Sequence, residues 1–173
     1  MEHLRIKKLV LSGLMAALVI VMTMLVPIKI PVPIQGAYIH PGDSMIYLSG
    51  YLLGGPIAAV VGGIGSAIAD TLVGANEYIF ATLVIKALMG YIAGRLLFRM
   101  EASSLWKGIT GMLLSSIWMV LGYFGYEGFA FGIGKALLSI PFNILQAAAG
   151  IVLTIPILAI IQRIPYLQRI RKG

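Results

Sequence analysis

Asp70, Lys86 and the amide pair Asn143 and Gln146 interrupt stretches that are otherwise apolar, in a chain that is 60% hydrophobic with a mean hydropathy of +0.98. In a bilayer such a group costs roughly a few kcal/mol unless it faces a protein interior or a wet cavity. A chain that keeps several of them is read as folding around something polar. Asn143 and Gln146 are three apart and share one helix face. An amide pair at that spacing can hold a small molecule or bridge two helices. The reading favours ligand contact for Asn143, with Gln146 beside it.

Composition narrows the chemistry. With no cysteine, and only His3 and His40, thiolate nucleophiles, disulfides and a histidine-based zinc site are not expected. No bound cofactor is expected either. At 173 residues the chain is the size of one domain, and 11% charged residues with 21 glycines suit a transmembrane bundle. The net charge of +7 does not point to nucleic acid, because the cations lie at the edges of apolar segments.

Those edges define the elements that must position the polar groups. Six apolar segments are expected to be membrane helices, at 9–26, 44–55, 57–73, 79–98, 108–125 and 136–161. The first imitates a signal peptide but is followed by Pro27-Ile28-Lys29-Ile30-Pro31 rather than a small-residue cleavage site, so it is read as a span. Six spans place both termini on one side. That side carries Arg5, Lys7, Lys8, Arg95, Arg99, Lys107, Arg163, Arg169, Arg171 and Lys172, against Lys29 and Lys135 opposite, so both termini are expected to be cytoplasmic. The expected fold is therefore all-α, a polytopic six-helix membrane bundle forming a single domain over residues 1–173. Its first outer loop, 27–43, carries three prolines and reads as an extended or hairpin-like cover.

Asp70 lies toward the outer end of the third span and Lys86 in the fourth. They are expected to form a structural ion pair, each offsetting the other's desolvation, with direct ligand contact as the alternative. Tyr123, Tyr126 and Glu127 close the fifth span from outside; Tyr123 and Glu127 are candidate substrate contacts, although tyrosines are also common as interfacial anchors. Asp43 precedes Ser44-Met45-Ile46 and is expected to cap that helix. His40 either meets the ligand or braces the loop.

Small residues recur four apart at Gly62/Ser66, Gly63/Ala67 and Gly65/Ala69, and in the first span at Ser12/Ala16 and Gly13/Ala17. Such faces permit close backbone approach. In the third span internal packing is expected. In the first, the alternative is a docking face for a partner membrane protein.

Taken together, Tyr38-Ile-His-Pro-Gly-Asp43, the small-residue span ending Gly65-Ser-Ala-Ile-Ala-Asp70, Ala81-Thr-Leu-Val-Ile-Lys-Ala-Leu-Met-Gly90, and Ile140-Pro-Phe-Asn-Ile-Leu-Gln146 with Gly150 and Pro156 resemble the substrate-binding S-components of energy-coupling factor (ECF) vitamin transporters. The resemblance covers nearly the whole chain. It implies a six-helix subunit of the plasma membrane that captures a vitamin or precursor near the outer face. The subunit then topples against a transmembrane T-component driven by two ATPases. The chain has no Gly-x-x-x-x-Gly-Lys-Ser/Thr loop, so energy from partners fits. The pattern looks most like hydroxymethylpyrimidine or pyridoxine members, with riboflavin-type members near.

The resemblance also weights Asn76, Glu77 and Tyr78, since thiamin-type members use a Glu-Tyr pair at this place. A carboxylate accepting from a ring N–H or hydroxyl, under a stacked aromatic, is sensible recognition chemistry. It likewise implies that Ser12, Gly13, Ala16 and Ala17 dock the T-component. The rival reading, an intramembrane enzyme with Asp70 or Glu77 as general base, lacks a second carboxylate at helical spacing from Asp70.

Overall fold

In a computed structural model the described residues are 2–25, 28–29, 38–100 and 105–172. They form helices α1 (Glu2–Leu25), α2 (Gly42–Leu53), α3 (Gly55–Val73), α4 (Ile79–Leu97), α5 (Leu105–Ala130), α6 (Ile133–Gln162) and α7 (Pro165–Lys172), with a 3-10 turn at Asn76–Tyr78. Two short strands, β1 (Ile28–Lys29) and β2 (Tyr38–Ile39), pair antiparallel with Ile28 opposite Ile39. Most of the expected proline-rich cover lies outside the described residues.

Among the described residues five helices are long and apolar enough to cross a membrane: α1, α3, α4 with its preceding turn, α5 and α6. The expected sixth span is different. Segment 44–55 forms most of α2, which has 12 residues, all buried. At 1.5 Å per residue it is about 18 Å long, short of a hydrocarbon layer of about 30 Å. It is a central helix, packed against α1, α3, α4 and α6. Large apolar side chains face outward on the long helices instead. Phe80, Trp106 and Phe129 are 82%, 80% and 94% exposed, with Trp106 and Phe129 at opposite ends of α5 where aromatic anchors sit.

The glycines explain how α2, α3 and α4 come so close. A Cβ on Gly63 would sit 2.8 Å from the Leu83 carbonyl oxygen, and one on Gly94 would sit 2.5 Å from the Gly55 nitrogen. Backbone therefore meets backbone, as expected for small faces in lipid. Gly54, with φ of +83°, lets the chain reverse directly from α2 into α3, whose first turn contains Pro56. At the other end Gly74 is left-handed, and the Ala75 N–H donates to the Asp70 carbonyl at 2.8 Å, ending α3 with a closed cap.

These contacts set the depth of each side chain. A Cβ on Gly62 would sit 2.8 Å from the Lys86 carbonyl oxygen, so Lys86 is level with Gly62. Asp70 is eight residues farther along α3, about 12 Å away along the axis. The first turn of α2 lies at the Lys86 level, where Asp43 Cβ is 3.1 Å from a Cβ built on Gly150 of α6. Where α2 stops, the surrounding helices continue.

Candidate functional site

Beyond the short end of α2 the long helices leave a cavity of about 70 Å³, lined by His40, Asp70, Ala75, Tyr78, Thr82, Tyr123, Glu127, Ser139, Phe142, Asn143 and Gln146. His40 precedes α2, Asp70 lies in the last turn of α3 and Ala75 just beyond it, and Tyr78 of the 3-10 turn lies four residues before Thr82 of α4. Tyr123 and Glu127 lie one turn apart near the end of α5. Ser139, Phe142, Asn143 and Gln146 follow the 3-4 spacing of one face of α6.

The floor is a buried ionic network. Lys86 Nζ lies 2.5 Å from Asp43 Oδ1, with the two side chains 1% and 0% exposed. Gln146 Nε2 donates to the other carboxylate oxygen, Asp43 Oδ2, at 3.0 Å. Lys86 Nζ is also 2.9 Å from Met119 Sδ, and 5.7 Å from the Tyr123 ring centroid. Two expectations are corrected here. Lys86 is paired with Asp43 rather than Asp70, because antiparallel packing of α3 on α4 puts Asp70 two turns above it. Asp43 does not cap α2: its carboxylate is drawn to the lysine and the amide, and the N–H of Gly42 at the helix start goes to His40 instead.

The walls combine rings with oxygen groups. Tyr78 hydroxyl donates to Glu127 Oε1 at 3.0 Å, and the Thr82 and Tyr123 hydroxyls share a hydrogen bond of 3.0 Å. The Tyr78 ring meets Tyr126 edge-on at 5.6 Å between centroids, and Phe131 at 5.7 Å. Lys135 Nζ stands 3.6 Å from the Phe131 ring centroid. Glu127 is 5% exposed, and its Oε2 is buried with no hydrogen-bond partner among the described residues. A buried carboxylate oxygen left in that state is an unfilled acceptor.

His40 Nδ1 accepts the Gly42 backbone N–H at 3.2 Å and lies 3.2 Å from Thr23 Oγ1. Because a backbone amide can only donate, Nδ1 is an acceptor and the ring proton sits on Nε2. Burial pushes the imidazole pKa down to about 4, with Lys86 adding to the shift and Asp43 opposing it.

Of the eight residues expected to bind substrate, His40, Tyr78, Tyr123, Glu127, Asn143 and Gln146 line the cavity. Asn76 and Glu77 do not, and both are exposed. Glu77 contributes only its backbone carbonyl, which accepts from the Tyr126 hydroxyl. The 3-10 turn directs Tyr78 inward and leaves its two predecessors outside. Asp70, read as structural, is a lining residue. Thr82, Ser139 and Phe142 were not anticipated, although each lies three or four residues from a lining residue that was.

On α1, Ser12 Oγ donates to the Lys8 carbonyl at 2.6 Å. The Ala16 carbonyl oxygen would be 3.2 Å from a Cβ on Gly65, so Ala16 belongs to the α1–α3 contact. Gly13 and Ala17 are exposed, and a Cβ on Gly13 would meet nothing within 4 Å.

The sequence of residues 3–163 matches the family of ECF-type riboflavin transporters, S component. The chain belongs to that family. It is 33% identical over 173 residues to a protein of Lactococcus lactis subsp. cremoris named "Thiamine precursor transporter HmpT", covering all of this chain and 98% of the relative. It is also 37% identical over 135 residues to an uncharacterized protein of Pyrococcus woesei, covering 78% of this chain and 88% of the other. As an ECF S-component with several membrane-crossing helices, it is a multi-pass protein of the plasma membrane and part of a vitamin-uptake system.

Proposed function

We propose that this S-component captures the pyrimidine precursor of thiamin, or a pyridoxine-like ring of the same size, in the cavity beyond α2. The observation that carries the reading is Glu127 Oε2, a buried acceptor without a partner on the cavity wall. An aminopyrimidine bearing a hydroxymethyl group supplies N–H and O–H donors around one flat ring. Tyr78, Tyr123 and Phe142 offer ring faces to such a ligand, and Asn143 offers both a donor and an acceptor. The name of the Lactococcus relative, a thiamine precursor transporter, supports the same class.

The family description points to a second reading, riboflavin. A three-ring ligand with a ribityl chain is much larger than one pyrimidine and presents carbonyl acceptors on its ring system, which the buried acceptor Glu127 Oε2 would not pair. Titration of purified protein with each compound separates them. Tight binding of hydroxymethylpyrimidine with none of riboflavin supports the first reading, and the reverse result replaces it.

In this reading the cavity end of the bundle faces outward, both termini are cytoplasmic, and α2 is a sixth, abbreviated membrane segment. The subunit performs no catalysis. It delivers substrate by toppling against a T-component driven by two ATPases, meeting it through the open small face of α1 around Gly13 and Ala17. Cysteines placed at Glu2 and Gly173 should label only from the cytoplasmic side. Labelling of either from outside intact cells would refute this orientation.

A further inference from the structure

The ionic floor does more than neutralise Lys86. Asp43 meets Lys86 through Oδ1 and the Gln146 amide through Oδ2. A carboxylate held against an ammonium is an acceptor only, so the group facing Oδ2 has to be the amide NH₂. The opposite orientation would place the Gln146 carbonyl 3.0 Å from a carboxylate oxygen, two acceptors in a buried site. Gln146 Nε2 also lies 3.8 Å from Met119 Sδ, a second weak acceptor on the same side. The carbonyl is then the half of the amide left to the cavity that Gln146 lines.

We propose that Asp43, held by Lys86, is a positioning residue that fixes the Gln146 amide with its carbonyl toward the substrate, so that this wall selects a ligand donor. The inference rests on the capture function proposed above and deepens it. Glu127 Oε2 is an acceptor on the α5 wall, and Gln146 becomes one on the α6 wall. A substrate suited to both carries a donor on each of two edges, as an amino group and a hydroxymethyl group on one ring do. A ring bearing carbonyl groups at those edges would leave acceptors facing acceptors and be rejected.

The test compares 4-amino-5-hydroxymethyl-2-methylpyrimidine with two analogues, one with methoxy in place of the amino group and one with the hydroxymethyl group methylated. Calorimetry on the purified wild-type protein should show at least one analogue weakened by about fivefold to a hundredfold. In the Asp43→Asn/Lys86→Met double variant an amide replaces the carboxylate and can face Gln146 with either end. Discrimination against one of the two analogues should then fall to near one, while discrimination set by the Glu127 wall remains. Gln146→Met, which leaves the ion pair intact, should have the same effect and serves if the double variant does not fold. If neither analogue gains relative affinity in Gln146→Met, or in a folded double variant, the assignment is overturned, as it is by equal binding of all three compounds by the wild type. Side-chain ¹⁵N resonances of glutamine-labelled protein supply a readout without ligand. The Gln146 NH₂ should be exchange-protected in the wild type and lose that protection in Asp43→Asn/Lys86→Met. Protection without binding of any pyrimidine would sink the substrate reading and leave the amide orientation standing, whereas an unprotected amide in the wild type overturns the orientation itself.

Discussion

Lys86 on α4 and Asp43 in the first turn of α2 meet 2.5 Å apart in the middle of the bundle, both out of reach of solvent. The contact joins the short buried helix α2 to one of the long ones, and it recruits Gln146 of α6 through the second carboxylate oxygen. Removing one partner leaves the other as an uncompensated buried charge. Lys86→Met or Asp43→Asn alone should each cost about 3–5 kcal/mol of stability, while the double change recovers most of it. Thermal unfolding of detergent-purified variants measures this. Additive losses in the double variant would mean that the pair is not coupled.

Asp70 sits two turns above that pair, on the cavity wall. Asp70→Asn therefore leaves Lys86 and Asp43 together, and it should cost less stability than Lys86→Met or Asp43→Asn. Its effect should appear in the dissociation constant for substrate. An Asp70→Asn protein that fails to accumulate would restore a structural role for this carboxylate.

Glu127 and Glu77 provide an internal comparison, since only Glu127 reaches the cavity. Glu127→Gln and Asn143→Leu should each weaken substrate binding by about 1–3 kcal/mol, or roughly fivefold to a hundredfold, because a ligand group is left unpaired. Glu77→Gln, on an exposed turn, should stay within about 0.5 kcal/mol of wild type. Calorimetric titration of the three proteins decides. A larger loss from Glu77→Gln than from Glu127→Gln would reverse the two assignments.

His40 makes stability depend on pH. Its folded pKa of about 4 lies below the ordinary value of 6.5, so between these values the unfolded chain binds more protons than the folded one. The contribution is fully present above about pH 6.5 and is lost as pH falls toward 4. The unfolding temperature should therefore drop between pH 6.5 and 4.5, and the slope should be shallower in His40→Asn. Identical slopes would show that other groups govern the acid side.

The exposed small face of α1 offers the cleanest separation of docking from folding. Ala17→Trp should leave unfolding temperature and substrate affinity unchanged while abolishing uptake in cells that supply the partner subunits. Ala16→Trp is a poorer probe, because Ala16 packs at Gly65. If Ala17→Trp transports normally, this face is not where the partner docks.

Much of the architecture is legible from local chemistry. Apolar runs of sufficient length identify five membrane-crossing helices, and small residues four apart anticipate the close approach of α3 and α4, because both properties are summed along one segment. Residue type and position point to His40, Tyr123, Glu127, Asn143 and Gln146, and the family resemblance adds Tyr78, so that six of the lining residues are legible. What escaped such reading depends on relative depth. Asp70 and Lys86 look like partners because they flank one hairpin, yet about 12 Å of helix rise separates them. Asp43 looks like a helix cap from its neighbours in sequence, and only the placement of α2 inside a ring of longer helices brings it to Lys86, 43 residues away. Glu77 and Glu127 are both outer-end carboxylates in the sequence. One tight turn aims Tyr78 inward and leaves Glu77 outside, while the face of α5 packed on α4 carries Glu127 to the Tyr78 hydroxyl. Sequence determines which segments are apolar enough to enter a bilayer, since transfer energies add residue by residue. Partnership among the few buried charges is decided by tertiary structure, because it depends on rotation and axial offset between helices that no single segment encodes.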